Sequence, residues 1–399
     1  MHSPTVSNSP DVENFWLIHG GTIHDIRVRL KLAARDPKRY ARHVVVAVAI
    51  TWLPLLILSI FQGLAWGNAV KMPFLLDYST NVRILITLPL LILAESLIDP
   101  HVREAVHHFL TARLVTGDQL LEFENVIRKT MRLRDNWVVT LALFVLAYGP
   151  AVWNSGELVA HVDGSSWHFI NSGDGQRISW AGLWFAIVSI PIFRLIVFRW
   201  LWLLILWTIF LWRVTQLRLN CTASHPDRAG GLGFLTHTQL FFGIVTFAMS
   251  ASVAGSFANQ LAYEGSSLQK LQFMMAAFCL LAIAFTVAPL IVVSPFLFRV
   301  RQRGIFAYSS LGVKYTEEFE SKWLSGGHGA NAELMGSADI QSLADLGNSF
   351  GVIDEMKVFL IDHEILLKLA MPAVAPMLVL IATILPAEEI FKAILRLLE

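Results

Sequence analysis

FRLIVFRWLWLLILW, residues 193–207, is apolar enough to be the middle of a membrane helix, yet it carries Arg194 and Arg199. The surrounding run extends over 180–217 and offers no turn residues between Ile192 and Gln216. As one helix rising ~1.5 Å per residue it would reach roughly 55 Å, against a hydrocarbon core of about 30 Å. Such a helix must tilt, kink at Pro191 or project from the bilayer. Trp200, Trp202, Trp207 and Trp212 suit a segment that reaches an interface or packs on neighbours.

The rest of the chain follows the same pattern. Of 399 residues, 55% are hydrophobic and 15% charged, with a mean hydropathy of +0.56. Soluble domains carry nearer 25% charge. Runs of span length or nearly so lie at 43–66, 83–97, 137–153, 180–217, 234–261 and 271–298. A seventh, 366–385, holds Pro372 and Pro376 and reads as a kinked or re-entrant segment. Basic residues alternate with the loops. Arg27–Arg42, Arg103–Arg134, Arg213–Arg228 and Arg299–Lys357 are rich in them, while the other loops hold only Lys71, Arg177 and Lys270. The positive-inside rule then places the N-terminus in the cytoplasm. The expectation is an all-α, polytopic helical membrane protein with six full transmembrane helices and a Pro-broken seventh. Its parts are a basic cytoplasmic segment (1–42), a transmembrane domain (43–298) with a cytoplasmic helix at 118–136, a cytoplasmic helical segment (299–365), and the broken span with an interfacial helix (366–399).

On the cytoplasmic side, Tyr308, Leu311, Tyr315, Phe319 and Trp323 recur at three- and four-residue steps, an apolar stripe on a helix continuing from the sixth span. A Gly-rich linker at 325–331 precedes a short helix at 337–346, with Ser337 as N-cap and Gly347 after its end. The tail after Pro386 is amphipathic and predicts an interfacial helix. The loop 154–179 predicts a small hairpin on Gly-Asp-Gly.

Few residues could carry chemistry. A charge at the bilayer centre costs at least about 2.5–3.5 kcal/mol on insertion scales, so Arg194 and Arg199 need partners, water or an interface. Glu95 is the clear acid inside a predicted span. The two arginines read either as interface anchors paired with Glu95 or as the lining of an anion path. Ser252 and Ser256 in the polar fifth span suit either close helix packing or a wet path. In HPDRAGGLGFL, residues 225–235, His225, Asp227 and Arg228 crowd a Gly-rich turn before a helix: a tight juxtamembrane turn, or a ligand or gating site. In SADIQSLADLG, Asp339, Ser342 and Asp345 share one helix face, and an Asp345–Arg228 pair could close the inner mouth. The histidines match no metal motif, and Cys221 and Cys279 support neither a disulfide framework nor a thiolate site. No metal, cofactor or nucleic-acid partner is expected.

HPDRAGGLGFL, SADIQSLADLGNSF (337–350) and KWL (322–324) resemble an uncharacterised family of bacterial multi-spanning inner-membrane proteins. The resemblance implies a bacterial inner membrane and no activity. Three functions stay open. The first is a transporter or channel for a small anionic solute. The second is a membrane-anchored sensor or scaffold that binds a partner or small anion on its cytoplasmic face. The third is a membrane enzyme using His225, Asp227 and Asp345, although no catalytic motif supports it. Expected partners are the lipid bilayer, a small anion, a second copy of the chain or a cytoplasmic protein.

Overall fold

The computed structural model describes residues 12, 15–18, 37–153, 166–172, 175–324 and 338–384. The predicted linker at 325–331, the Ser337 cap and the tail helix after Pro386 lie outside the described residues. The described chain is mostly helical: α1 (Tyr40–Phe61), α2 (Tyr78–Thr111), α3 (Leu120–Arg134), α4 (Trp137–Trp153), α5 (Trp180–Val214), α6 (Phe234–Tyr263), α7 (Leu268–Ile291), α8 (Ser294–Trp323), α9 (Ala338–Asp354) and α10 (His363–Ile384). One hairpin, β1 (Phe169–Ser172) and β2 (Gly175–Ile178), is antiparallel with Phe169 opposite Ile178.

Six helices, α1, α2, α5, α6, α7 and α10, are long and apolar enough to cross a membrane. Only 17% of the most apolar stretch of α1 is buried against the rest of the protein, and 28% in α7. Phe61, Leu280 and Leu281 are 84%, 69% and 70% exposed. Leaving each such side chain in water forgoes about 1.5–3 kcal/mol, and so many together call for an apolar surrounding. The arrangement is compatible with an integral membrane protein.

The six are not the six expected. The segment 137–153 forms a helix of 17 residues, ~26 Å long and short for the core. The predicted broken segment is instead the continuous helix α10, with Pro372 and Pro376 inside it. Neighbours accommodate the distortion: Ser250 Oγ and Cys279 Sγ both donate to the Ala373 carbonyl. Gly243 also lets α10 approach α6, because a Cβ there would sit 3.1 Å from the Pro372 ring.

The two longest helices, α2 and α5, each contain a π-helical turn just before a proline. Arg83–Thr87 precedes Pro89, and Phe185–Ser189 precedes Pro191. Proline brings no N–H and its ring crowds the carbonyl four residues earlier, so the helix widens locally rather than ending. The expected kink at Pro191 thus takes the form of a π turn, and 180–214 stays one helix.

The main core fills the end of the bundle where the basic loops gather. Trp207 stacks on Phe210 with centroids 5.4 Å apart, and Phe123, Phe109 and Leu114 close around them. Phe15, Leu17 and Ile18 are buried in this same core, and the Phe15 ring lies 5.5 Å from Phe210. These residues of the basic N-terminal segment (1–42) are thus packed into the helical core. Four successive apolar or aromatic side chains, Phe15–Trp16–Leu17–Ile18, give that stretch a reason to dock.

Candidate functional site

The sequence-predicted site residues fall into four places, one of them the α9 helix that carries Asp339 and Asp345. The first is the buried pair on α2 and α5. Arg199 Nη1 donates to Glu95 Oε1 at 2.6 Å, and Arg199 Nη2 donates to the Ile18 carbonyl at 2.8 Å. The Ile18 amide in turn donates to Asp99 Oδ1 at 2.9 Å. Arg134 Nη1 donates to the Trp16 carbonyl, and the Arg103 guanidinium lies 4.5 Å from the Trp16 ring centroid. The main chain of residues 16–18 therefore completes the hydrogen bonding of a desolvated ion pair, the condition under which such a pair is tolerated. Arg199 is thus held as part of a buried structural contact among α2, α5 and residues 16–18.

The second place is the opposite end of the bundle. Asp77 caps α2, accepting from the Thr80 amide at 3.0 Å and from Thr80 Oγ1 at 2.6 Å. It also accepts from Trp167 Nε1 at 2.9 Å and Asn259 Nδ2 at 2.7 Å. Ser256 accepts from Arg83 Nη2 at 2.9 Å and bonds Ser79 Oγ at 3.1 Å. Ser252 is buried one turn away, and its carbonyl accepts from Ser256 Oγ. Between these serines, a Cβ on Gly255 would meet the Tyr78 carbonyl at 3.0 Å, so α6 and α2 touch backbone to backbone. Arg194 Nη1 is buried with no hydrogen-bond partner among the described residues. Asp77, Arg83 and Trp167 were not singled out from the sequence, and Asn259 is legible there only as one of the polar residues of its span. The one local signal was Asp77 in D-Y-S-T, an N-cap residue three before a threonine.

The third place is a cavity of 790 Å³ beside the HPDR turn. It is framed by the C-terminal end of α2, the turn from Asn220 to His237, and the segment from Lys357 to Lys368. Asp227 organises the turn. Its carboxylate accepts from the amides of Ala229, Gly231 and Gly233 at 2.8, 3.1 and 3.0 Å, with His225 Nδ1 at 2.7 Å. Partial burial opposes its ionisation, but these amide donors and His225 outweigh that and hold the carboxyl below its ordinary value. Arg228, Gly230 and Gly231 all take positive φ to make the bend. At Gly230 a Cβ would also meet Met356 at 3.1 Å, so glycine serves both the backbone and the packing there.

The expected Asp345–Arg228 pair does not form. Arg228 Nη1 pairs with Glu355 Oε2 at 2.8 Å, and its carbonyl accepts from the Lys357 amide at 2.7 Å. Asp345 instead accepts from Gln341 one turn away. Asp339 binds the other quoted motif: Lys322 Nζ and Trp323 Nε1 donate to it at 2.5 and 3.0 Å, and Tyr315 donates to its carbonyl. So α9 folds back along the aromatic stripe of α8, and what reaches the HPDR turn is the segment just after α9.

The cavity's acids are all engaged. Asp227 is held by the turn, Asp362 by Lys357 Nζ at 2.9 Å and the Ile365 amide at 2.8 Å, and Glu364 by Lys368 Nζ at 2.6 Å. Among the described residues the Arg113 guanidinium and the His237 ring have no partner, and each lysine shows one of its three N–H groups in use. The donors left over are cationic or imidazole. No group of three or more His, Cys, Asp or Glu among the described residues is placed to hold a metal ion. Comparisons of the chain with protein-family models, with curated proteins and with solved structures find no match.

Proposed function

We propose that this protein is a receptor-like, multi-spanning protein of a bacterial inner membrane that binds a small anionic solute in the cavity beside its HPDR turn. What carries the reading is the donor surplus: the cavity's three carboxylates are engaged internally, while Arg113, His237 and spare lysine N–H groups remain. The N-terminus lies in the cytoplasm, α4 crosses as a short seventh span, and the cavity faces the cytoplasm, in keeping with the distribution of Lys and Arg. Of the three motifs that mark the family resemblance, HPDRAGGLGFL builds the cavity wall, and the other two pair with each other through Asp339, Lys322 and Trp323. Transport is the less favoured reading, because Arg199 and Glu95 lie about 18 Å along the helix from the Arg83–Ser256 contact and are bonded to each other.

The test is a thermal-shift and calorimetric screen of purified protein against small carboxylates, sulfate and inorganic phosphate. At least one anion should bind, and Arg113→Gln should weaken it by roughly tenfold, the worth of one charged hydrogen bond. No anion binding, or binding unchanged in Arg113→Gln, would sink the proposal.

A further inference from the structure

A second cleft, of 560 Å³, opens between the end of α5 and the start of α8. Three arginines line it: Arg218, Arg299 and Arg303. No aspartate or glutamate lines it. Among the described residues, none of the three guanidinium groups has a carboxylate partner. That contrasts with the first cavity, where every lysine faces an acid. Cys221 adds no negative charge, since burial and then the nearby Asp227 push its thiol up to about 12. The remaining wall is apolar and hydroxyl-bearing, with Phe296, Val300 and Tyr308.

The cleft's height matters as much as its charge. Leu271–Phe298 carries no charged residue, and Arg299 is the first charge after it. α7 alone, Leu268–Ile291, runs ~36 Å, more than the hydrocarbon core, and Arg299 follows in the second turn of α8, which puts it at the headgroup level. Trp212, 53% exposed, marks the same level on α5, where indole rings settle at membrane interfaces. Three unneutralised guanidinium groups repel one another, and a planar fork of N–H donors matches phosphate oxygens well. Basic pockets between helices at this depth are where anionic headgroups bind.

We propose that the Arg218–Arg299–Arg303 cleft is a binding site for a phosphate-bearing anion at the membrane interface. The phosphate could be that of an anionic phospholipid headgroup or a free one, and the arms of the test separate them. Full-length protein in neutral detergent is titrated with phosphatidylglycerol, with phosphatidylcholine and with inorganic phosphate, and the melting temperature is followed. Phosphatidylglycerol should raise it and phosphatidylcholine should not. In R218Q/R299Q/R303Q the rise should vanish, while in Arg113→Gln, which disables the other cavity, it should persist. Should the triple variant fold poorly, Arg303→Gln alone is read instead, and its midpoint lipid concentration should increase about fivefold. A matching rise with inorganic phosphate, also lost in the triple variant, keeps the site and assigns it a soluble anion. Equal responses of wild type and arginine variants to every additive would overturn the proposal.

Discussion

Arg199 and Arg194 stand five residues apart on the same helix and are held in opposite ways. Arg199 is buried and bonded to Glu95 and to the Ile18 carbonyl. Arg194 is less enclosed, and its buried Nη1 has no partner among the described residues. Toward the basic end, charge is neutralised by a dedicated acid and a docked piece of main chain. Toward the other end, polarity is shared out among hydroxyl, amide and indole groups around Asp77 and Ser256. A charge inside a span thus persists either through a full set of partners or through a position that leaves part of it free. Only the second arrangement leaves a side chain available for something else.

The largest test of this contrast is Glu95→Ala. It strands Arg199 in a buried site and should cost about 3–5 kcal/mol, seen as a lower thermal midpoint of the detergent-solubilised protein. A midpoint equal to wild type would mean the ion pair does not hold the basic end together. Next comes Asp77→Ala, which removes the α2 cap and leaves the donors of Trp167 and Asn259 without their acceptor. A loss of about 2–3 kcal/mol is expected, with a change in tryptophan fluorescence as Trp167 loses its bond. An unchanged spectrum and midpoint would remove Asp77 as the organiser of that end. The smallest effect belongs to Arg194→Leu. Taking away a donor that lacks an acceptor should leave stability within about 1 kcal/mol of wild type, or raise it. A loss as large as that of Glu95→Ala would show that Arg194 has an acceptor in the membrane, such as a bound anion.

Much of the helical framework was readable from hydropathy alone, because a bilayer-length apolar run leaves the backbone few options. The hairpin at 169–178 was readable from its Gly-Asp-Gly turn. The continuity of α10 was not. Whether Pro372 and Pro376 break a helix depends on what Ser250 and Cys279 on other helices offer the carbonyl between them. The docking of Phe15–Ile18 was hidden because four residues are too few to show a period, and their partners lie more than 80 residues away. At the HPDR turn the sequence pointed to a partner for Arg228 that the structure does not use. Arg228 and Asp345 looked complementary, but Asp345 is exposed and accepts from Gln341 on its own helix, and Glu355 in the following segment pairs with Arg228. Electrostatic complementarity can be read from a sequence, whereas the choice among equivalent acids depends on tertiary packing.

The contact between Ile18 and Arg199 also orders events in time. The two residues are 181 positions apart, and the Arg199 guanidinium is the donor to the Ile18 carbonyl. During synthesis, residues 15–18 leave the ribosome long before α5 exists, at ~5–20 residues per second some ten seconds or more earlier. Glu95 and Asp99 on α2 likewise enter the bilayer ahead of the cation that neutralises Glu95. Biogenesis of this chain therefore passes through an interval in which Glu95 and residues 15–18 precede the guanidinium that later bonds both. Insertion machinery that shelters half-made bundles would be needed during that interval, and not afterwards.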